Sequence, residues 1–371
     1  MNRRGVLKTA FTAAVGAAFP RFGKTLSAAE ATLSDTASIY LHPSKGADDN
    51  PGTRERPLRT LAAAARRVNE SSASEATTVV LAEGVYAVNE PALFKPSNRS
   101  YTKVDRLTVR AEVLPDEPSW SPGSMPVLIH TMALSPGWMG RPDPFGGVNY
   151  GMQFETSHVT VQGLKILGTP HLEQPTPRAI RRVYPIAREG GDLDDLEIRQ
   201  CVFLGNREVA ENHCGILARG HGVVIDHCVF NGCKITAVYW TGQAHGCAMR
   251  NTLAVGNYVT GAWLCGIGED FDFRDNVMSG NLSAVLFQGP VRKYHMAGSL
   301  FAGNQNLYGS GMGPPVNFKP LEPSVLELPA SSKISDKAVE IELDQSKRDY
   351  LHVVAGKPGS EIAAGLFTKR A

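Results

Sequence analysis

The chain has 371 residues and a formal net charge of +2, from 38 basic and 36 acidic side chains. A balance this even gives no electrostatic support for nucleic-acid binding, and no nucleic-acid partner is expected. Thirty-seven glycines and 24 prolines point to a chain full of turns, long enough for one extended domain.

At the N-terminus, Asn2-Arg3-Arg4-Gly5-Val6-Leu7-Lys8 precedes an apolar run from Ala10 to Phe19, and Ala29 and Ala31 form an A-x-A cleavage pattern. This predicts a signal peptide over 1–31. Its paired arginines resemble a twin-arginine (Tat) signal, with an ordinary Sec signal as the alternative. The run is short for a membrane span, and no other stretch approaches spanning length. The expected location is periplasmic or secreted, with no membrane partner after signal removal.

Residues 38–100 read as a cap and first coil. A strand from Ile39 leads through a Gly/Pro-rich turn to a short helix near Pro57 with alanines on its inner face, and Thr77–Tyr86 follows as strand, turn and strand. Residues 101–313 are expected to be solenoid. Thr108–Glu112, Val127–His130 and Val159–Ile166 are strand candidates, and Pro170–Asp192 looks like an excursion carrying Arg178, Arg181, Arg182 and Arg188. From Leu196 a motif recurs as LEIRQCVFLGN, VVIDHCVFNGC, AMRNTLAVGN, FDFRDNVMSGN and MAGSLFAGN. Its closing residues, Asn206, Cys233, Asn257, Asn281 and Asn304, lie 27, 24, 24 and 23 residues apart. A step of that length predicts stacked coils about 4.8 Å apart, so that sequence columns become spatial columns. Alternation sends Ile198, Ile225, Met249, Phe273 and Met296 inward, and likewise Phe203, Phe230, Ala254, Met278 and Phe301. The closing column is expected to be an asparagine ladder with no catalytic role. Residues 314–371 lose the repeat and are expected to fold back as a cover.

Tyr40, Pro43, Gly46, Asp48, Asn50, Pro51, Gly52, Thr53, Pro57, Leu58 and Thr60, together with the repeats, resemble the right-handed parallel β-helix (pectate-lyase-like) superfamily. The resemblance covers most of residues 39–310. It implies an all-β, right-handed, single-stranded parallel β-helix with a short N-terminal capping helix. It is specific for the fold and weakly specific for the reaction.

Six cysteines in an exported chain invite disulfides, but Cys201 and Cys228 share a column and none of the six has CxxC spacing. Buried thiols are the expected state, with a Cys201–Cys228 bridge between coils as the alternative.

The columns supply the candidate site. If Ile216, Val238, Ala262 and Val285 point inward, then Leu217, Tyr239, Trp263 and Leu286 form an outward stripe. That stripe is either a set of sugar platforms (Tyr239, Trp263) or a surface hidden under the C-terminal segment. The turn before each repeat places His221, His245, Glu269 and Arg292 in one column and Gly222, Gly246, Asp270 and Lys293 in the next, with Arg219 entering the same turn. Titratable groups packed so closely suit proton transfer, although a solvated turn has the same composition. On the repeat strand, Arg199, Asp226, Arg250 and Arg274 make either a surface ion-pair ladder or a cationic track for uronate carboxylates.

Asp194-Asp195 and Gly220-His221-Gly222 are similar to the DD and GHG elements of polygalacturonases, but the N-T-D and R-I-K elements are missing. Tight zinc geometry at His221, His245 and Glu269 is disfavoured by a straight column; calcium at Glu269 and Asp270 is the expected metal, if any.

The expected function is an exported enzyme cleaving an acidic polysaccharide by β-elimination. His245 or His221 would be the base, with Arg292, Lys293 and Arg219 stabilising charge and Arg199, Arg250 and Arg274 binding uronates. The resemblance keeps Arg292 and Lys293 open as bases too. The alternatives are a glycoside hydrolase on the same fold and a non-catalytic carbohydrate-binding or structural solenoid.

Overall fold

A computed structural model describes residues 38–368, except 73–74, 133–136, 139–140, 143–147, 171–181 and 314–316. The signal-peptide assignment, Arg178 and Arg181 lie outside the described residues. The chain winds as a right-handed parallel β-helix with three long sheets. The first sheet runs in nine strands from Ser38–Leu41 to His295–Ala297, the second from Gly84–Val88 to Lys333–Ser335, and the third from Ala92–Phe94 to Asn306–Gly313. The third sheet closes with an antiparallel strand, Asn317–Leu321.

Apolar side chains of all three sheets meet in one continuous interior. Ile198 pairs with Ile225, Met249 follows, and Phe273 and Met296 complete that row. Rings stack along the axis in the second row, as Phe203 over Phe230 at 4.5 Å. Both rows match the repeat reading.

The helix Leu61–Glu70 sits in the first coil where a third-sheet strand would otherwise run. Thr60 caps it by accepting from Ala63 N at 3.1 Å, and Leu61, the four alanines and Val68 are buried. Asn69 then bonds Leu93 O and Lys95 N, each at 2.7 Å, so the helix also occupies the open edge of the third sheet. Asp48 ties the preceding turn to the cap through Thr60 N and Oγ1.

Corners are made by single left-handed residues. Between the first and second sheets these are Gln200, His227, Asn251 and Asp275, with φ of 51, 51, 49 and 55°. Inside the corners run two polar ladders. Cys233 N donates to Asn257 Oδ1, Asn257 N to Asn281 Oδ1 and Asn281 N to Asn304 Oδ1 at 2.9–3.0 Å. Asn206 departs from this column: its side chain accepts from Glu208 N and Val209 N in its own turn. The second ladder runs Cys228, Thr252, Asn276, Ser299. All six cysteines are free and buried.

Two readings of the chain need correction. Arg182–Arg188 is a core strand of the third sheet and no excursion. The third-sheet register pairs Ile216 with Ala237 and Leu217 with Val238, so Val238 points outward and Tyr239 inward. Beyond Pro323 the chain returns along the second sheet, where Tyr350, Leu351 and Leu366 cover Val202, Val229, Leu253, Val277 and Leu300.

Candidate active site

The corner that leads from the third sheet into the first carries the densest chemistry. It is again built on left-handed residues, His158, Asp195, Gly222 and Gly246, with φ of 59, 58, 59 and 66°. Asp195 and His158 are L residues held where glycine is at ease, a conformation that costs roughly 1–2 kcal/mol. Three of these corner pairs, Asp194–Asp195, His221–Gly222 and His245–Gly246, line an open groove of 590 Å³. Asp194, Asp195 and Glu197 supply carboxylates to this groove, Lys103 and Arg106 cations, and His221 and His245 imidazoles.

Backbone hydrogen bonds set the stacking. Asp195 N donates to His221 O, and Gly222 N to His245 O. The imidazoles of His221 and His245 therefore stack 6.0 Å apart and within 1° of parallel. Asp194 occupies the same column one coil earlier. A Cβ on Gly222 would meet Asp194 Oδ1 at 2.5 Å and Asp195 N at 2.9 Å, and its φ of 59° favours glycine there. The DD and GHG elements thus form neighbouring steps of one corner.

The two aspartates differ in their partners. Arg106 embraces Asp195 with both terminal nitrogens, Nη2 at 3.0 Å from Oδ1, and His158 Nδ1 is 2.8 Å from Oδ2. Burial pushes the Asp195 carboxyl up, but the hydrogen bonds from Arg106 and His158 outweigh it and hold it below the usual carboxylate range. The Asp194 backbone N–H donates to Ser157 Oγ at 2.9 Å. Its side chain forms no hydrogen bond or ion pair among the described residues, which leaves both oxygens available. Glu197 is 3.9 Å from Arg106 Nη2, a loose contact.

His221 and His245 are brought together as expected. Glu269 and Asp270 are exposed next in the row; Asp270 Oδ2 accepts from Gly246 N at 2.8 Å, and Oδ1 lies 3.4 Å from His245 Nδ1. No three His, Cys, Asp or Glu side chains are grouped as a metal site among the described residues. Arg292 and Lys293 continue the row beyond the groove. Arg219 leaves it: the side chain lies on the third-sheet side, with Nη1 3.9 Å from Glu189 Oε2.

Tyr239 is no sugar platform. It is 1% exposed, and its hydroxyl donates to Ala248 O at 2.8 Å inside the solenoid. Small Ala218, its register partner in the preceding coil, leaves room for the ring, which the alternation alone does not reveal. Trp263 does face outward, but it is buried with Leu217, Val238 and Leu286 while Phe318 of the closing strand packs against them. The arginine row proves to be an ion-pair ladder over most of its length. Asp226, 5% exposed, takes His227 Nδ1 at 2.8 Å, Asn251 Nδ2 at 3.0 Å and Arg250 Nε at 3.4 Å, while Arg274 pairs with Asp272 at 3.1 Å. Arg199 stands at the end of this ladder without an ion pair among the described residues. Lys103, Arg106 and His158 precede the regular repeats and Glu197 lies on the strand face, so the repeat columns do not mark them.

No protein-family model matches the chain, and no characterised protein matches it by sequence. Among solved structures it is similar to a GH136 lacto-N-biosidase from Eubacterium ramulus at 13% identity and a TM-score of 0.42, covering 74% of this chain and 55% of that one. A rhamnogalacturonan lyase gives 12% identity and a TM-score of 0.43, covering 89% and 99% respectively. The PL6 family alginate lyase AlyGC gives 11% and 0.22, covering 90% and 59%. The chain spans about half the length of the lacto-N-biosidase it matches. At these levels the reaction must be read from the groove itself.

Proposed function

We propose that this chain is an exported carbohydrate-active enzyme that cleaves glycosidic bonds in the groove of the first sheet, by acid–base hydrolysis. One observation carries the reading: the Asp194 carboxylate, free of ion pairs, sits beside Gly222 one coil from the His221 ring, with Asp195 and Glu197 in the same groove. Hydrolysis requires one group to protonate the leaving oxygen and another to activate water, and paired carboxylates serve that chemistry on many scaffolds. Asp194 and Glu197 are the candidates for those two roles. Asp195, held ionised by Arg106 and His158, suits electrostatic stabilisation of a developing oxocarbenium ion. His221, one coil further along the same column, is the candidate for relaying the Asp194 proton.

Charge favours this over elimination. A uronate carboxylate entering beside Asp194 and Glu197 meets like charge, and Arg106 is already engaged by Asp195. Elimination is the second reading, supported by the two stacked imidazoles as bases and by Lys103 at the groove wall. The test incubates the mature protein with neutral and acidic glycans, with and without calcium, and follows reducing ends alongside ultraviolet absorbance of unsaturated uronates. Reducing ends without the absorbance support hydrolysis; both together establish elimination. Neither signal on any glycan would leave a binding or structural solenoid.

A further inference from the structure

A parallel β-helix interior is a poor place for charge, yet Arg188 lies in it. This residue ends the third-sheet strand Arg182–Arg188 and pairs in register with Ala218, whose own partner is Tyr239, in a row that points inward. Its side chain is 0% exposed. Nε donates to Arg219 O and Nη2 to His221 O, each at 2.7 Å, while Nη1 is buried without a partner. These bonds go to carbonyls and not to a carboxylate. Burial pushes the guanidinium down to about 10, against the opposing pull of Cys247, Asp194 and Asp195, so it stays a cation at neutral pH. A buried cation without a bonded counter-charge is costly, and apolar side chains of similar volume often serve stability as well.

The two carbonyls it holds belong to the turn that presents His221. That turn is flanked by Gly220 and Gly222, at φ of 86 and 59°. A Cβ at Gly220 would meet Leu193 O at 2.2 Å, so the turn is packed tightly against the Leu193–Asp195 segment of the preceding coil. Two glycines give the turn freedom that an active site must remove.

We propose that Arg188 is a positioning residue of the groove: from inside the solenoid it clamps the Arg219–His221 turn and fixes the His221 imidazole in the groove, one coil from Asp194. The inference rests on the glycan-cleaving reading, and it explains why a charge is retained where an aliphatic chain would pack.

Arg188→Met and Arg188→Lys test it, with steady-state kinetics, thermal unfolding and amide hydrogen exchange read on the full mature chain. Arg188→Met is expected to unfold cooperatively, keep KM and lose about 10²-fold in kcat, the scale of an ångström-level misplacement. Arg188→Lys, able to reach one carbonyl, is expected to recover about tenfold of that loss. Exchange at residues 220–222 should quicken in Arg188→Met and not elsewhere in the solenoid. A folded Arg188→Met with wild-type kcat, or a loss confined to KM, overturns the proposal. If Arg188→Met does not fold, wild-type kcat in Arg188→Lys overturns it. Should the wild type cleave no glycan, the functional reading falls by itself. Exchange at 220–222 then still decides whether Arg188 clamps the turn: unchanged exchange in the variants refutes the clamp.

Discussion

Asp194 and Asp226 are carboxylates one coil apart, and their partners send them to different work. Asp194 forms no side-chain bond, so Asp194→Asn should leave folding intact and reduce turnover by about 10²- to 10⁴-fold, the usual range for a general acid or base. Matching unfolding curves with unequal kcat values check this. Asp226 is saturated instead. Burial raises its carboxyl, but hydrogen bonds from His227 and Asn251 and the charge of Arg250 bring it down to about 2. Its folded value lies below the unfolded value of about 3.9, so its contribution is complete above about pH 5 and is lost as the pH falls toward 2. That contribution is worth about 2.5 kcal/mol. Urea midpoints measured across this window should fall steeply for the wild type and less for Asp226→Asn; parallel curves would remove Asp226 from the acid response.

At the scale of strands and turns, much was legible because coils repeat. The interior rows and the ladder of Asn257, Asn281 and Asn304 follow from a fixed step and an alternation of two. Asn281 shows what the ladder does: it accepts from Asn257 N and Nδ2 and donates to Ala254 O and Asn304 Oδ1. Asn281→Ala should cost roughly 3 kcal/mol, since buried groups lose their partners, and leave kcat unchanged. A loss of kcat in the folded variant would tie the ladder to the site. Where the repeat was ambiguous, alternation misled. Ala237-Val238-Tyr239 offers apolar residues on both faces, and the inward choice for Tyr239 rests on small Ala218 beside it in the preceding coil. His221 over His245 was readable from the columns. Lys103, Arg106 and His158 were not, because the coils that carry them lack the motif that defines the register.

Across the whole molecule, the three sheets are finished in different ways. The first keeps an open corner and groove, the third is closed by Asn317–Leu321, and the second is covered by the returning chain. Deleting residues 337–371 would expose Val202, Val229, Leu253, Val277 and Leu300, each worth roughly 1.5–3 kcal/mol when buried. The deleted protein should scatter light as aggregates at concentrations where the full chain is monodisperse; a monodisperse deletion would show that the cover is dispensable. The return of the chain was foreseeable from the end of the repeat, but its path along the second sheet was not, because residues beyond Pro323 carry no period.

Among the described residues, the groove gathers carboxylates and imidazoles beside Asp194, whose side chain is left without a partner. The most direct test is reducing-end release from a panel of glycans by the mature wild type and by Asp194→Asn. Release by the wild type, without unsaturated products, and its near-complete loss in a folded Asp194→Asn are the expected results. Equal release by both proteins, or unsaturated ends from the wild type, would contradict hydrolysis at Asp194.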